Sequence, residues 1–180
     1  DHRDLHSFPT RRSSDLNPMN DIIIKKLKER FNDSVTDASE FRGDLSVTVK
    51  REIAEEAALL LKNDEEIKFD FCKDVTAIDW AKRKNRFTVV YIVYSYKNKN
   101  EIKLKIDLDE SDLNMPTLSN VWKSAGWYER ETFDMYGINF TGHPDLRRVY
   151  MPEEFEYHPL RKDFPLLGVP GSLPLPKTEH

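Results

Sequence analysis

The sequence contains a single cysteine, Cys72, and no long run of apolar residues. One cysteine excludes an internal disulfide framework and a self-contained cysteine-ligated metal or iron–sulfur site, and it points to a reducing compartment. The longest apolar clusters, such as 89–94, have the length of a strand, whereas a membrane-spanning helix needs about 20 consecutive apolar residues. We therefore expect no membrane-spanning segment, although such a protein could still associate with a membrane.

A large excess of positive charge is also lacking. The 180 residues include 28 Lys and Arg against 32 Asp and Glu, which gives a formal net charge of −4. A protein that binds nucleic acid through its overall charge carries an excess of Lys and Arg. The composition therefore predicts no nucleic-acid partner.

Three parts of the chain differ in character. Residues 1–16 show neither helical nor strand periodicity, and we interpret them as a non-native or disordered leader. Residues 17–137 alternate between helical and strand patterns and predict an α+β domain. Seven of the ten prolines follow Ile138, and prolines exclude long helices and central strands. We interpret 138–180 as an extended, proline-rich C-terminal arm that wraps over the domain or contacts a neighbouring chain.

Hydrophobic periodicity places the elements of the predicted domain. Helices are predicted from Pro18 to Phe31, over 51–62, and from Ser119, as N-cap, to Tyr136, with Gly126 as an interruption and Gly137 at the end. Alternation predicts strands over 45–49, 67–71 and 102–108, and 87–96 is apolar or aromatic on both faces, which predicts a central strand. The short links between consecutive strands favour an antiparallel meander. The predicted fold is α+β, with two helices packed on a mainly antiparallel sheet of about four strands, then a further helix and the arm.

The segment 127–166 holds most of the residues that could carry chemistry. Glu129, Asp134, His143 and His158 are candidate metal ligands, but their spacing matches no helical ligand motif. There is no motif for a Ser or Cys nucleophile and no glycine-rich phosphate loop. A structural and interface cluster is the favoured interpretation. In it Arg130 pairs with Asp134. One of Arg147 and Arg148 binds a carboxylate of this chain, with Glu129, Glu131 and Asp134 as the candidates, and the other faces a neighbouring chain.

Two blocks within 122–165 resemble the 30 kDa subunit family of respiratory complex I, which in bacteria is the C subunit of the proton-pumping NADH:quinone oxidoreductase. The first block matches at Trp122, Ala125, Trp127, Glu129, Arg130, Glu131, Asp134, Gly137, Ile138, Phe140, His143, Pro144, Leu146, Arg147 and Arg148. The second matches at His158, Pro159, Leu160, Arg161, Lys162, Asp163, Phe164 and Pro165. Tyr157 departs from the pattern, because the family usually has glycine there. Residues 74–80, DVTAIDW, also resemble the family.

The resemblance implies a non-redox structural subunit in the peripheral arm of the complex, on the cytoplasmic side of the bacterial plasma membrane. The complex transfers electrons from NADH through FMN and iron–sulfur clusters to quinone and translocates protons. These cofactors belong to partner subunits, so the resemblance implies no catalytic, cofactor or metal residue in this chain. The implied partners are the large D subunit, which holds the quinone site, and the B and I subunits, which hold iron–sulfur clusters. The alternatives are the equivalent subunit of a membrane-bound hydrogenase or other quinone-reducing complex, or a stand-alone metal-dependent enzyme.

Overall fold

The computed structural model describes residues 17–165, so the predicted leader and the part of the predicted arm at 166–180 lie outside the described residues. The helices are α1 (Pro18–Phe31), α2 (Ala54–Asn63) and α3 (Ala125–Tyr136). The strands are β1 (Val35–Phe41), β2 (Asp44–Val49), β3 (Phe71–Asp79), β4 (Phe87–Ser95), β5 (Asn100–Leu108), β6 (Asn114–Pro116) and β7 (Asn139–Thr141). Within 17–165, no helix has both the length and the apolar character needed to cross a bilayer.

The main sheet has five strands in the order β1-β2-β5-β4-β3. Three neighbouring pairs are antiparallel, and β2 pairs with β5 in parallel. The α+β class is confirmed, but the prediction of about four strands in a simple meander is wrong. Because a parallel pair needs a long crossover connection, residues 50–99 separate β2 from β5 along the chain.

Helices cover one face of this sheet. Val47 of β2 lies opposite Leu104 of β5, which lies opposite Tyr91 of β4, so all three side chains point to the same side. All three are fully buried in one core cluster with residues of α1 and α2. Helix α3 is fastened to the edge strand β3, because the Thr132 hydroxyl donates to the Val75 carbonyl at 3.0 Å.

Two predicted elements begin later than expected. The strand predicted over 67–71 begins only at Phe71. Phe69 is buried in the preceding loop, where its N–H donates to Leu61 and its carbonyl accepts from the Trp122 indole. The third helix begins at Ala125, so Ser119 is not its cap and Gly126 lies in its first turn. Beyond the predicted domain end at 137, β7 pairs with β6, and 142–165 contain no helix or strand.

Candidate functional site around helix α3

Glu129 is a fully buried carboxylate on the inner side of α3. Its Oε1 accepts hydrogen bonds from the Tyr91 hydroxyl at 2.9 Å and from the Leu118 N–H at 2.8 Å. Its Oε2 accepts from the Thr117 hydroxyl. Burial raises the pKa of Glu129, and these hydrogen bonds oppose that rise. The side chain therefore ties the loop before α3 and strand β4 to the helix.

His143 ties the turn that follows β7 to the beginning of α3. Its Nδ1 accepts from the Asp145 N–H at 3.0 Å, so in the neutral ring the proton sits on Nε2. Nε2 then donates to the Gly126 carbonyl at 3.0 Å. The Glu129 carboxylate lies 3.9 Å from the same Nε2. Pro144 is exposed at the tip of this turn.

Asp134, also fully buried, lies at the centre of a second set of contacts. Its Oδ2 accepts from the backbone N–H groups of Val149, Tyr150 and Met151 at 2.9, 2.7 and 3.0 Å. Its Oδ1 accepts from Arg148 at 2.7 Å. Burial alone would raise the pKa of Asp134, but these four donors together lower it. Asp134 therefore anchors the chain that follows the Arg-Arg pair.

Arg130 does not pair with Asp134, so that prediction is wrong. Its Nε and Nη2 donate to the carbonyls of Arg147 and Arg148 at 3.2 and 3.4 Å, and its guanidinium lies 4.7 Å from the centre of the Trp127 ring. The physical reason is competition, because Arg148 and three amides already occupy the carboxylate of Asp134.

The two adjacent arginines lie in different environments. The Arg148 side chain is 12 % exposed and binds Asp134, one of the carboxylates proposed for such a contact. The Arg147 side chain is 65 % exposed and forms its ion pair with the exposed Asp145, at 3.1 Å. The structure thus separates one internal arginine from one that faces outward.

The second block of the resemblance caps the C-terminus of α3. The last four carbonyls of a helix have no partner within it. Here they accept, in order, from the Gly137 N–H, the His158 ring Nδ1, the Leu160 N–H and the Arg161 Nε. The chain can turn at Gly137 because its φ is +77°. Residues 158–161, which we call the capping segment, thus complete the hydrogen bonding of the helix end. Burial lowers the pKa of His158.

Asp79 and Arg86 hold the residues that follow the capping segment. Arg86 binds Asp79 bidentately at 2.9 and 3.0 Å, and Asp79 also accepts the Lys162 N–H at 2.8 Å. Arg86 lies 3.0 Å from Asp163 as well. The Arg86 guanidinium lowers the pKa of Asp79 well below its usual range. Our site prediction omitted both residues, although Asp79 belongs to the 74–80 stretch that carries the resemblance.

The four candidate metal ligands do not converge. Glu129, Asp134, His143 and His158 each bond to a different set of groups of the chain itself. Among residues 17–165, no group of three or more His, Cys, Asp and Glu side chains is arranged to hold a metal ion. Of the remaining predicted site residues, Glu131 is half-buried within α3 and Pro159 is half-buried in the capping segment.

Comparison with known proteins identifies relatives over most of the chain. The family model described as the respiratory-chain NADH dehydrogenase 30 kDa subunit matches residues 47–169. The C subunit of the NADH-quinone oxidoreductase of Geobacter sulfurreducens is 45 % identical over 150 residues, which cover 83 % of this chain and 91 % of the relative. The C subunit from a Roseiflexus species is 44 % identical over 147 residues, which cover 82 % and 84 % of the two chains.

Two solved structures share the fold. One, described as Nqo5 of a trypsin-resistant fragment (1-134), has a TM-score of 0.60 and 26 % identity and covers 71 % of this chain and 99 % of that fragment. The other belongs to an archaeal membrane-bound sulfane sulfur reductase, with a TM-score of 0.68, 23 % identity and 82 % and 86 % coverage. From the extent of the family match and the identity to its relatives, the chain belongs to the 30 kDa subunit family of respiratory-chain NADH dehydrogenase.

Proposed function

We propose that this chain is the non-redox structural subunit of the peripheral arm of an NADH:quinone oxidoreductase. The observation that carries the proposal is how the chain uses its candidate ligands. The oxygen atoms of Glu129 and Asp134 and the ring nitrogens that position His143 and His158 are bound to groups of this chain. These four side chains fasten the neighbouring loops to α3. Side chains that are used for hydrogen bonds within the chain favour a structural role, in which the subunit positions its neighbours in the complex.

In this proposal the chain binds no cofactor, and FMN and the iron–sulfur clusters belong to partner subunits. The partners are the quinone-site D subunit, the iron–sulfur B and I subunits and other subunits of the peripheral arm, on the cytoplasmic side of the bacterial plasma membrane. The isolated chain has no catalytic activity, and activity belongs to the complex. The relatives at about 44 % identity are NADH-quinone oxidoreductase subunits, so the hydrogenase alternative is not favoured.

The proposal is tested by purifying the full chain in two states. A tagged chain expressed in a cell that makes the complex is expected to copurify from membranes with the other subunits and with NADH:quinone reductase activity. The chain expressed alone is expected to be colourless and to contain no stoichiometric iron, zinc or flavin. Stoichiometric metal or flavin in the isolated chain, or turnover of a substrate by it, would contradict the scaffold role.

A further inference from the structure

A groove lies where the loop before α3, the first turns of α3 and the 143–145 turn meet. Its volume is about 460 Å³, and its walls include Asn120, Lys123, Trp127, Arg130 and Pro144. We call it the Trp127 groove. The Arg130 guanidinium lies 4.7 Å from the centre of the Trp127 ring, and Trp127 remains 66 % exposed. Trp is enriched among the residues that contribute most to binding energy, so an exposed Trp on a helix is a candidate anchor for a partner.

The walls of the groove are held in place from inside the protein. The buried Glu129 fixes the loop on one side through Thr117 and Leu118. On the other side, His143 fixes the 143–145 turn by its bond to the Gly126 carbonyl. A groove with walls fixed before binding loses little conformational entropy when it is filled. Glu129 therefore shapes the groove from beneath, whereas His143 both holds the turn in place and lines the groove.

The charge in the groove is positive and partly uncommitted. Lys123 is exposed and makes no ion pair with any residue in 17–165. Arg130 uses Nε and Nη2 for backbone carbonyls, whereas its Nη1 lies 4.0 Å from Asp145, beyond hydrogen-bond distance. Asp145 is the nearby acidic group, and Arg147 offsets its charge at 3.1 Å. Two cationic groups beside an aromatic ring complement a carboxylate that is flanked by an apolar side chain.

We propose that the Trp127 groove binds an acidic segment of a partner subunit. An Asp or Glu side chain of that segment contacts Lys123 and the Nη1 of Arg130, and a neighbouring apolar or proline side chain packs on the indole of Trp127. The inference rests on the proposed function, because it requires that the chain assembles with other subunits. It goes further in assigning one docking site and the chemistry of its occupant.

A carbodiimide cross-linker tests the contact in the intact complex, because it joins an amine directly to a carboxylate only where the two touch. Mass spectrometry is expected to show an amide bond between Lys123 and an Asp or Glu of another subunit. The product should disappear in Lys123→Gln. A cross-link from Lys123 only to residues 166–180 or to a second copy of this chain, or none while other lysines react, would overturn the proposal.

Matched variants test the energetic weight of the groove. Lys123→Glu and Trp127→Ala are each expected to lower the retention of the chain in the salt-washed complex about tenfold or more. The isolated chain is expected to stay folded, with its melting temperature changed by no more than about 4 °C. The controls are Lys28→Glu on α1 and Tyr96→Ala, an equally exposed aromatic at 64 %. If the wild type fails to copurify with the other subunits, the proposed function is wrong. If the wild type copurifies and the groove variants match the controls, only the docking site is wrong.

Discussion

At the scale of single residues, the Arg147–Arg148 pair shows how one step along the chain separates two roles. The guanidinium of Arg148 neutralises the buried Asp134, whereas that of Arg147 is mainly in solvent beside Asp145. Removing one partner of a buried pair leaves an uncompensated charge, while an exposed ion pair contributes about 0–1 kcal/mol. The two arginines should therefore respond differently to the same substitution.

We expect Arg148→Glu to lower the free energy of unfolding of the isolated chain by about 3–5 kcal/mol, because it places a second carboxylate beside Asp134. Arg147→Glu is expected to leave that stability within about 1 kcal/mol of wild type and to reduce the amount of complex in membranes. Denaturant titration and quantification of the complex measure the two effects. Equal complex content in the wild type and both variants would show that this motif has no interface role.

The acid sensitivity of the fold should depend on Asp79. Its pKa is lowered in the folded state, chiefly by the hydrogen bonds from Arg86. The stability that the ionised Asp79 contributes is therefore complete above its unfolded pKa of about 4. It is lost as the pH falls toward the lower pKa that Asp79 has in the folded state. In Asp79→Asn we expect a loss of stability at pH 7 that shrinks between pH 5 and pH 2. The control is Asp37→Asn, because Asp37 is exposed and makes no ion pair within 17–165.

Single-residue roles were predictable where the partner lay nearby in the same motif. Arg148 and Asp134 both belong to the signature, so their contact was among the expected alternatives. The partners of Glu129 were not predictable, because Tyr91 lies in a distant strand and reaches the carboxylate only through the pairing of β3, β4 and α3. Arg130 was misassigned because an i,i+4 rule ignores the backbone carbonyls that a later segment supplies.

At the scale of elements, the C-terminus of α3 depends on the capping segment. A Cβ at Gly137 would lie 2.6 Å from the His158 Nε2 and 2.7 Å from the Arg161 Nη2. Such a side chain would have to displace the capping segment, and the carbonyls that it serves would lose their donors. Gly137 is thus required for two reasons: its positive φ favours glycine, and the capping segment leaves no space for a side chain.

Comparison of two glycine substitutions separates these requirements. Gly43 also has a positive φ, +90°, but a Cβ there would meet nothing within 4 Å. We expect Gly43→Ala to cost about 1–2 kcal/mol from backbone strain alone, and Gly137→Ala to cost about 1–3 kcal/mol more. Hydrogen exchange should quicken at the Leu160 and Lys162 amides only in Gly137→Ala. Equal costs for the two variants would show that the capping segment contributes nothing to stability.

The elements that the sequence predicted well are those with regular alternation, such as β2 and β5. β1 was missed because an edge strand exposes much of its surface and here carries Thr, Asp, Ser and Glu. Ile67 and Phe69 are buried, as their alternation predicted, but they lie in a loop. The N–H and carbonyl of Phe69 bond to α2 and to Trp122 and not to a neighbouring strand. The parallel pairing of β2 with β5 leaves no local pattern, since it joins residues 57 positions apart.

At the scale of the whole molecule, the described part of the arm is fixed to the domain at separate points. The amides of Val149, Tyr150 and Met151 bind Asp134, and those of Leu160 and Lys162 bind Met135 and Asp79. We expect hydrogen exchange in the isolated chain to be slow at these amides and fast at Glu153, Glu154 and Glu156 between them. Uniformly fast exchange over 149–163 would show that these contacts need a partner subunit to form.

The parallel contact between β2 and β5 has a consequence for how the chain reaches this fold. The β1–β2 hairpin and the β3–β4–β5 meander are each built from neighbouring segments, and β2 and β5 alone join them within the sheet. Local hairpins form quickly. Once the meander has formed, the open connection from β2 is residues 50–70, and closing it costs entropy before any contact between β2 and β5 repays it. The joining of the two halves is therefore expected to limit the refolding rate. Val47→Ala, opposite Leu104, should slow refolding more than it speeds unfolding; the reverse would place the joining after the barrier.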